Sequence, residues 1–278
     1  MSRTQIAPSP ATVRQRLRTV TDPELDRSIV ELDYVDEIEV GAEPLDVDCV
    51  EGPTRPSELP PVHVEFSLPT AWCSPAFAWM MAVDVRDVVE GIEGVERCTV
   101  ALRDHMHARE ITEGVNDRRP FEEVFADATE GIEPVREMLD RKALAARQYE
   151  LVEALLEVGA RPPQICALTL ADCTVHEEAG YVAVRLDDVS VCVDREPFAR
   201  YVEKTDEVGW LSDSEPLFRT RDGEPIAPEQ FDRVHAETRV TTVNMRGQAG
   251  VCDALHEARY GDARPEDERY AWESVPDG

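Results

Sequence analysis

Lysine is nearly absent from this chain of 278 residues, in which only Lys142 and Lys204 occur and arginine supplies the remaining positive charge. Acidic residues number 58 against 29 basic ones, which gives a formal net charge of -29 at pH 7. A surface this negative repels nucleic acid and anionic membranes, so we expect neither as a partner. An acidic, lysine-poor composition is typical of cytoplasmic proteins from halophiles that accumulate salt, in which most acidic runs are solvated faces.

Long hydrophobic runs are also missing. No apolar stretch approaches the length of a membrane span, and the opening residues MSRTQIAPSP lack the apolar region of a signal peptide. The seven cysteines are an odd number spread along the chain without dense pairing. This spread favours reduced thiols over a disulfide framework. We therefore expect a soluble cytoplasmic protein.

The length of the chain exceeds that of one average domain and predicts two. The predicted fold class is α+β, with a small α-β-β-α-β domain followed by a mainly α-helical domain that contains a β-hairpin. The predicted boundaries are 1–112 for the first domain, 113–133 for a connector, 134–265 for the helical domain and 266–278 for a flexible tail.

The first domain is predicted from short patterns. Ser9 and Pro10 open a helix that TDPEL ends, and VDEIEV is a strand that ends near Val40. LDVDCV is a candidate hairpin partner for that strand, and the proline-rich EGPTRPSELPP is a predicted surface loop. A strand over 62–68, a helix over 75–90 and the strand RCTVALR complete the unit.

In the second domain, the apolar spacing predicts a long helix over 134–158 and another that opens at RPPQICALTLAD. YVAVRL and VSVCV alternate and predict the hairpin. Further helices are predicted over 197–204, 228–239 and 247–260. Cys166, Cys173 and His176 do not have the short-gap spacing of structural zinc ligands, so we interpret the two cysteines as core residues.

Cys73 lies where an alternating strand gives way to an apolar helix. In VHVEFSL, residues 62, 64, 66 and 68 are apolar and the residues between them are polar, which is the period of a half-buried strand. Ser74 suits the N-cap and Pro75 the first position of the following helix. The amides and dipole at a helix N-terminus favour a thiolate, which is a better nucleophile and metal ligand than a thiol. The alternative is that Cys73 is a small buried residue of the core.

Three segments in this order, TDPELDRSIVELDYVDEIEV, VHVEFSLPTAWCSPAFAWMM and GIEGVERCTVALRDH, resemble the MIP18 or DUF59 family of iron-sulfur cluster assembly factors. That family has a D-P-E motif after its first helix and a cysteine after a strand that ends in a threonine-containing turn. The resemblance covers roughly residues 1–105. The positions that match the family motif are Asp22, Pro23, Glu24, Thr70 and Cys73.

The resemblance implies a non-enzymatic assembly factor that handles a transient iron-sulfur cluster or iron and acts on a client iron or iron-sulfur protein with other assembly factors. The family usually has Cys-Pro, whereas Ser74 intervenes here. One cysteine cannot close a four-ligand site. Either two chains share a cluster as a homodimer, the domain only passes metal along, or other residues help.

His105 and His107 are the candidate additional metal ligands, because two histidines at i and i+2 of an extended segment face the same side. Asp104 is a candidate to orient one of them. The alternative is that both histidines are exposed connector residues. Asp22 and Glu24 also have an alternative, because an aspartate before proline often starts a turn.

Two weaker resemblances remain open. AWCSP and DHMHAREITEGVNDRRPFEEVF are similar to longer proteins that accompany binuclear-iron hydrocarbon monooxygenases, and this likeness makes a metal-free adaptor for such a client the second hypothesis. The third is a degenerate DNA strand-transfer protein, since the second domain resembles tyrosine recombinases with Arg161 at the matching arginine. Gln164 stands at the glutamate position, and Tyr260 is the candidate nucleophile. Phosphoryl transfer needs several cations around the phosphate, and this set is missing.

Overall fold

The structure is a computed structural model that describes residues 7–41, 60–128 and 131–261. The chain forms two compact units, of which the first takes Met1–Ile132 and Gln248–Gly278 and the second Glu133–Gly247. Residues 113–132 of the segment predicted as a connector thus belong to the first unit, as does the end of the last helix. Cys49, the segment LDVDCV, most of the proline-rich segment and the predicted tail lie outside the described residues.

The first unit confirms the α+β class and contains the predicted α-β-β-α-β order. Its described elements are α1 (Pro10–Leu17), β1 (Thr21–Asp22), β2 (Arg27–Ser28), β3 (Val35–Val40), β4 (Val62–Ser67), α2 (Pro75–Glu90), β5 (Cys98–Arg103), α3 (Ala108–Asn116) and α4 (Phe121–Val124). Strands β1 and β2 form a small hairpin that the sequence patterns did not predict. The main sheet has the order β3-β4-β5, with β4 antiparallel to β3 and parallel to β5 through α2. Helix α2 buries Trp79, Met81, Val85 and Val89 in the core of this unit.

Strand β4 is more deeply buried than its alternating pattern predicts. Its apolar residues are fully buried, but His63 and Ser67 on the other face are buried too. The reason is that β4 is the central strand, so both of its edges are paired. The polar face is satisfied by side chains, since His63 bonds Thr99 at 2.9 Å and Ser67 donates to Asp36 at 2.6 Å. The expectation of a half-buried strand was therefore wrong.

Helix α3 covers the free edge of β5. The side chain of Asn116 accepts from the Val100 amide and donates to the Val100 carbonyl, both at 2.9 Å. Such cover prevents the edge strand from pairing with another chain. Gly114 lets the helix approach closely, because a Cβ there would lie 2.7 Å from the ring of Trp79.

The second unit has its own core around Leu151, Val182, Tyr201 and Phe218. Its described elements are α5 (Glu133–Glu157), α6 (Pro162–Ala167), β6 (Cys173–His176), β7 (Tyr181–Leu186), β8 (Val189–Asp194), α7 (Arg195–Glu207) and the first part of α8 (Phe231–Tyr260). The predicted hairpin is β7-β8, and β6 adds a third strand to it. The helices predicted over 228–239 and 247–260 are one continuous helix, α8. Across the described ranges, every helix is too short or too polar to span a membrane.

Candidate functional site

Cys73 lies in the turn between β4 and α2, two residues before the first helical residue, Pro75. Its side chain is half-buried and packs against the first unit's core. The sulfur lies 3.4 Å from the hydroxyl oxygen of Thr70, which also accepts the amide of Trp72 at 3.2 Å. The hydroxyl proton of Thr70 can then be donated to the sulfur. The threonine of the motif thus contacts the cysteine directly.

His105 supports the turn that carries Cys73. Its Nε2 donates to the carbonyl oxygen of Cys73 at 2.9 Å, and its Nδ1 accepts the amide of His107 at 3.1 Å. These two bonds define a neutral imidazole with the proton on Nε2, and burial lowers its pKa from the usual value. Since both ring nitrogens are already bonded, this geometry favours a positioning role over metal ligation.

His107 is half-buried at the residue before α3, where its ring meets the edge of Phe125 with centroids 5.4 Å apart. The two histidine rings have centroids 6.1 Å apart and are tilted by 50°. Within the ranges that the structure describes, no three His, Cys, Asp or Glu side chains are grouped so as to hold a metal ion. Metal binding by His105 and His107 stays a prediction.

The D-P-E motif forms the loop of the β1-β2 hairpin. One carboxylate oxygen of Asp22 accepts the amides of Glu24 at 2.8 Å and Leu25 at 3.2 Å. The Asp22 carbonyl accepts the amide of Asp26, a residue in the left-handed conformation with φ of 53°. The motif therefore has the turn-forming role that was its alternative interpretation. It also fixes a buried carboxylate, because Asp22 is only 8% exposed.

The C-terminal part of α8 contacts this hairpin. Gln248 donates to Glu24 at 3.2 Å, and Arg27 donates to both carboxylate oxygens of Asp253 at 3.0 and 2.9 Å. Between these contacts lies Cys252, which is half-buried and, like Cys73, packs against the core of the first unit. Sequence reasoning missed Cys252, because no spacing motif links it to Cys73 and only the odd number of cysteines hinted at an unassigned thiol.

Tyr34 is a core residue of the same unit, and its ring lies 5.5 Å from that of His256 on α8, centroid to centroid. It is 1% exposed, and its hydroxyl is without a hydrogen-bond partner in the described part of the chain. Burial raises its pKa, and the nearby negative charges of Asp22, Cys252 and Cys73 act in the same direction. Burial likewise raises the pKa of Cys252 to about 11, with further contributions from Asp22, Cys73 and Glu24.

The residues of the recombinase-like hypothesis have other contacts. Arg161 lies at the N-terminus of α6, where it bonds Gln164 and approaches Asp187 at 3.4 Å. The hydroxyl of Tyr260 donates to the carbonyl of Leu68 at 3.4 Å. Each side chain is thus engaged in a contact that stabilises its own unit. Burial also raises the pKa values of the Cys166 and Cys173 thiols, that of Cys173 to about 12, as expected for core residues.

One comparison with known proteins gives a match. Residues 10–58 match a family model described as an iron-sulfur cluster assembly protein. The match includes the D-P-E hairpin and ends before Cys73, and it supports a general role in iron-sulfur cluster assembly. No curated protein matches the chain.

Proposed function

We propose that this protein is an iron-sulfur cluster assembly factor that handles iron or a cluster as cargo at Cys73 and delivers it to a client metalloprotein. The observation that carries the proposal is the half-buried Cys73 in contact with Thr70 in the turn before α2, since this turn belongs to the same unit as the D-P-E hairpin that the assembly family model matches. Thiolates are the usual protein ligands of iron-sulfur clusters. A partly exposed thiol can both accept such cargo and release it.

The surface around Cys73 suits a protein client. Trp72, the preceding residue, is 77% exposed, and Met106 is 52% exposed. Trp72 lies in the loop before α2 and Met106 in the loop after β5. These two loops form one loop pair, because the amide of Met106 donates to the carbonyl of Ala71 at 3.0 Å. Exposed tryptophan and methionine are enriched at protein interfaces. We infer that the client contacts this loop pair while its own ligands reach the Cys73 sulfur.

The test replaces the wild-type chain in its host by Cys73→Ala. The activities of iron-sulfur enzymes in cell extracts should fall, whereas enzymes without iron should be unaffected. Cys192→Ala is the matched control, since Cys192 is an exposed cysteine of the second unit. Unchanged iron-sulfur enzyme activities in the Cys73→Ala strain, with the variant present and folded, would contradict the proposal.

The alternative of a metal-free adaptor predicts client binding without cargo. Trp72 and Met106 favour a docking role in either case. Iron and sulfide analysis after anaerobic purification separates the two functions. Both elements should be present, at least after reconstitution with ferrous iron and sulfide, if the protein carries cargo. Persistent absence of both, together with retained client binding, supports the adaptor.

A further inference from the structure

We propose that a cavity in the second unit binds a small aromatic anion, whose carboxylate or phosphate contacts Arg219 and Arg221 and whose ring contacts Trp210. Such binding goes beyond the proposed assembly function, because it involves neither Cys73 nor any other residue of the first unit. The side chains that line the cavity all belong to Glu133–Gly247, which is the second unit.

The cavity has a volume of about 500 Å³, within the range of roughly 300–1,000 Å³ that is usual for small-molecule sites. Its walls are one face of α5, one face of α8 and the segment between α7 and α8. The lining residues of the two helices recur three or four positions apart, as one face of a helix requires. They include Glu137, Arg141 and Ala145 on α5 and Val234, Thr238 and Thr241 on α8.

Hydrogen bonds hold the third wall in place. The buried side chain of Gln148 on α5 accepts the amide of Arg219 at 3.1 Å and donates to the carbonyl of the same residue at 3.0 Å. Arg219 in turn donates through Nη1 to the carbonyl of Gly223 at 3.0 Å. Gly223 has a φ of 87° and lies against the Trp210 ring, since a Cβ there would lie 3.0 Å from that ring. Direct contacts therefore connect Arg219 to Trp210 through Gly223, and both side chains line the cavity.

Arg219 is a buried cation whose hydrogen bonds are incomplete. Its side chain is 9% exposed, and its Nη2 donates to Glu215 at 2.7 Å. The Nε atom is buried and has no hydrogen-bond partner among the described residues, which costs free energy for a charged group. The Glu215 side chain is 59% exposed, so solvent weakens the attraction within this ion pair. A ligand anion in the cavity would supply both a negative charge and a hydrogen-bond acceptor.

The cavity lining reverses the sign of the charge that dominates the chain. Four basic side chains line the cavity against three acidic ones, whereas the whole chain has a formal net charge of -29. Two of these acids already have arginine partners, since Glu137 lies 3.6 Å from Arg141 and Glu237 lies 2.8 Å from Arg233. Arg221 is exposed and has no ion-pair partner in the described part of the chain. Positive charge that lines a cleft concentrates anions there.

Apolar side chains supply another part of the lining. Trp210 shares the cavity with Met138, Leu144 and Val234. Small-molecule sites usually combine such apolar surface with a few convergent polar groups. An arginine guanidinium binds carboxylates and phosphates through two parallel hydrogen bonds, and a tryptophan ring offers a flat apolar surface to a second ring. This combination fits a ligand in which an aromatic ring carries a carboxylate or a phosphate.

The test is isothermal titration calorimetry of the purified full chain with phenyl phosphate and, separately, with benzoate. We expect one molecule of at least one of these anions to bind, and the tighter of the two identifies the preferred charged group. Inorganic phosphate lacks the ring and phenol lacks the charge, so each should bind at least about tenfold more weakly.

Variants test the contributions of the named residues. Arg221→Gln and Trp210→Leu should each weaken binding by about fivefold or more. Arg195→Gln is the matched control and should bind as the wild type does, because Arg195 is an exposed arginine of the second unit outside the cavity lining. Circular dichroism verifies the fold of every variant.

Absence of binding of both aromatic anions to the wild-type chain would overturn the proposal. Equal binding of phenol or of inorganic phosphate would do the same, because the ring and the charge would then not act together. Wild-type affinity in either folded Arg221→Gln or folded Trp210→Leu would also overturn it. The failure of the proposed assembly function is separate, because it is measured by client enzyme activity.

A second measurement needs no variant. Phenylglyoxal modifies the guanidinium groups of exposed arginines, and peptide mapping shows which of them react. A saturating concentration of the tighter-binding anion should protect Arg221, whereas Arg195 should be modified at an unchanged rate. Equal modification of Arg221 with and without the anion would overturn the proposal even if Trp210→Leu did not fold.

Discussion

Replacement of His105 tests whether this residue holds the Cys73 turn or binds metal itself. In His105→Phe the ring volume is largely kept, but the Cys73 carbonyl and the His107 amide each lose a hydrogen-bond partner. His105 is 8% exposed, so these groups are poorly placed to bond water instead. At about 1–3 kcal/mol for each unsatisfied buried group, the free energy of unfolding should fall by about 2–6 kcal/mol.

The pH dependence of the same variant gives a second readout. Burial lowers the pKa of His105 in the folded state, although its hydrogen bond to the Cys73 carbonyl acts in the opposite direction. The unfolded chain therefore binds a proton at a higher pH than the folded chain does. The stability due to neutral His105 is fully present above about pH 6.5 and is lost as the pH falls through the lowered pKa, by at most about 1.4 kcal/mol per pH unit. His105→Phe should lose this dependence.

The assay is urea unfolding between pH 5 and 7.5, followed by circular dichroism, together with the rate of Cys73 alkylation. His176→Phe is the control, because His176 is an exposed histidine of the second unit. The alkylation rate in His105→Phe should rise, since the turn is less firmly held. Unchanged stability and an unchanged pH slope would refute this reasoning.

Three further predictions concern the first unit. Gly114→Ala should destabilise the protein by about 1–3 kcal/mol in urea unfolding, because the added methyl group overlaps the Trp79 ring; equal stability would show that α3 can shift at no cost. Burial raises the pKa of the Cys98 thiol to about 12, above the value near 9 in the unfolded chain. The stability contributed by the neutral thiol is therefore fully present below pH 9. It is lost as the pH rises toward 12, by at most about 1.4 kcal/mol per pH unit. Stability measured at pH 8 and 10.5 should therefore depend less on pH in Cys98→Ala, and parallel curves would count against this assignment. A double-mutant cycle of Arg27→Ala and Asp253→Ala should give a coupling free energy of unfolding that is measurable but below about 1 kcal/mol, since the bidentate ion pair is exposed. A coupling free energy of zero would mean that this ion pair does not hold α8 against the hairpin.

The sequence predicts local structure well where the signal is short-range. Ser74 and Pro75 mark the start of α2, and the helix does begin at Pro75. The alternation in YVAVRL and VSVCV likewise predicts β7 and β8. In each case the determining interactions lie within a few residues, where capping and periodicity act.

Features that depend on distant residues could not be predicted in this way. Burial of His63 and Ser67 requires β4 to be paired on both edges. Two hydrogen bonds from His105 become visible only when the turn carrying Cys73 meets the loop after β5. The largest omission is Cys252, which approaches the D-P-E hairpin only through the length of α8.

Transfer of cargo to an apo-protein tests the central claim most directly. The purified chain is loaded anaerobically with ferric iron and sulfide, freed of unbound ions, and mixed with an apo-ferredoxin of the two-iron type, whose cluster absorption is followed with time. We predict that the loaded wild-type chain and its Cys192→Ala variant form the ferredoxin cluster, whereas folded Cys73→Ala treated in the same way does not. Equal transfer by Cys73→Ala would contradict the claim that the cargo is handled at this cysteine.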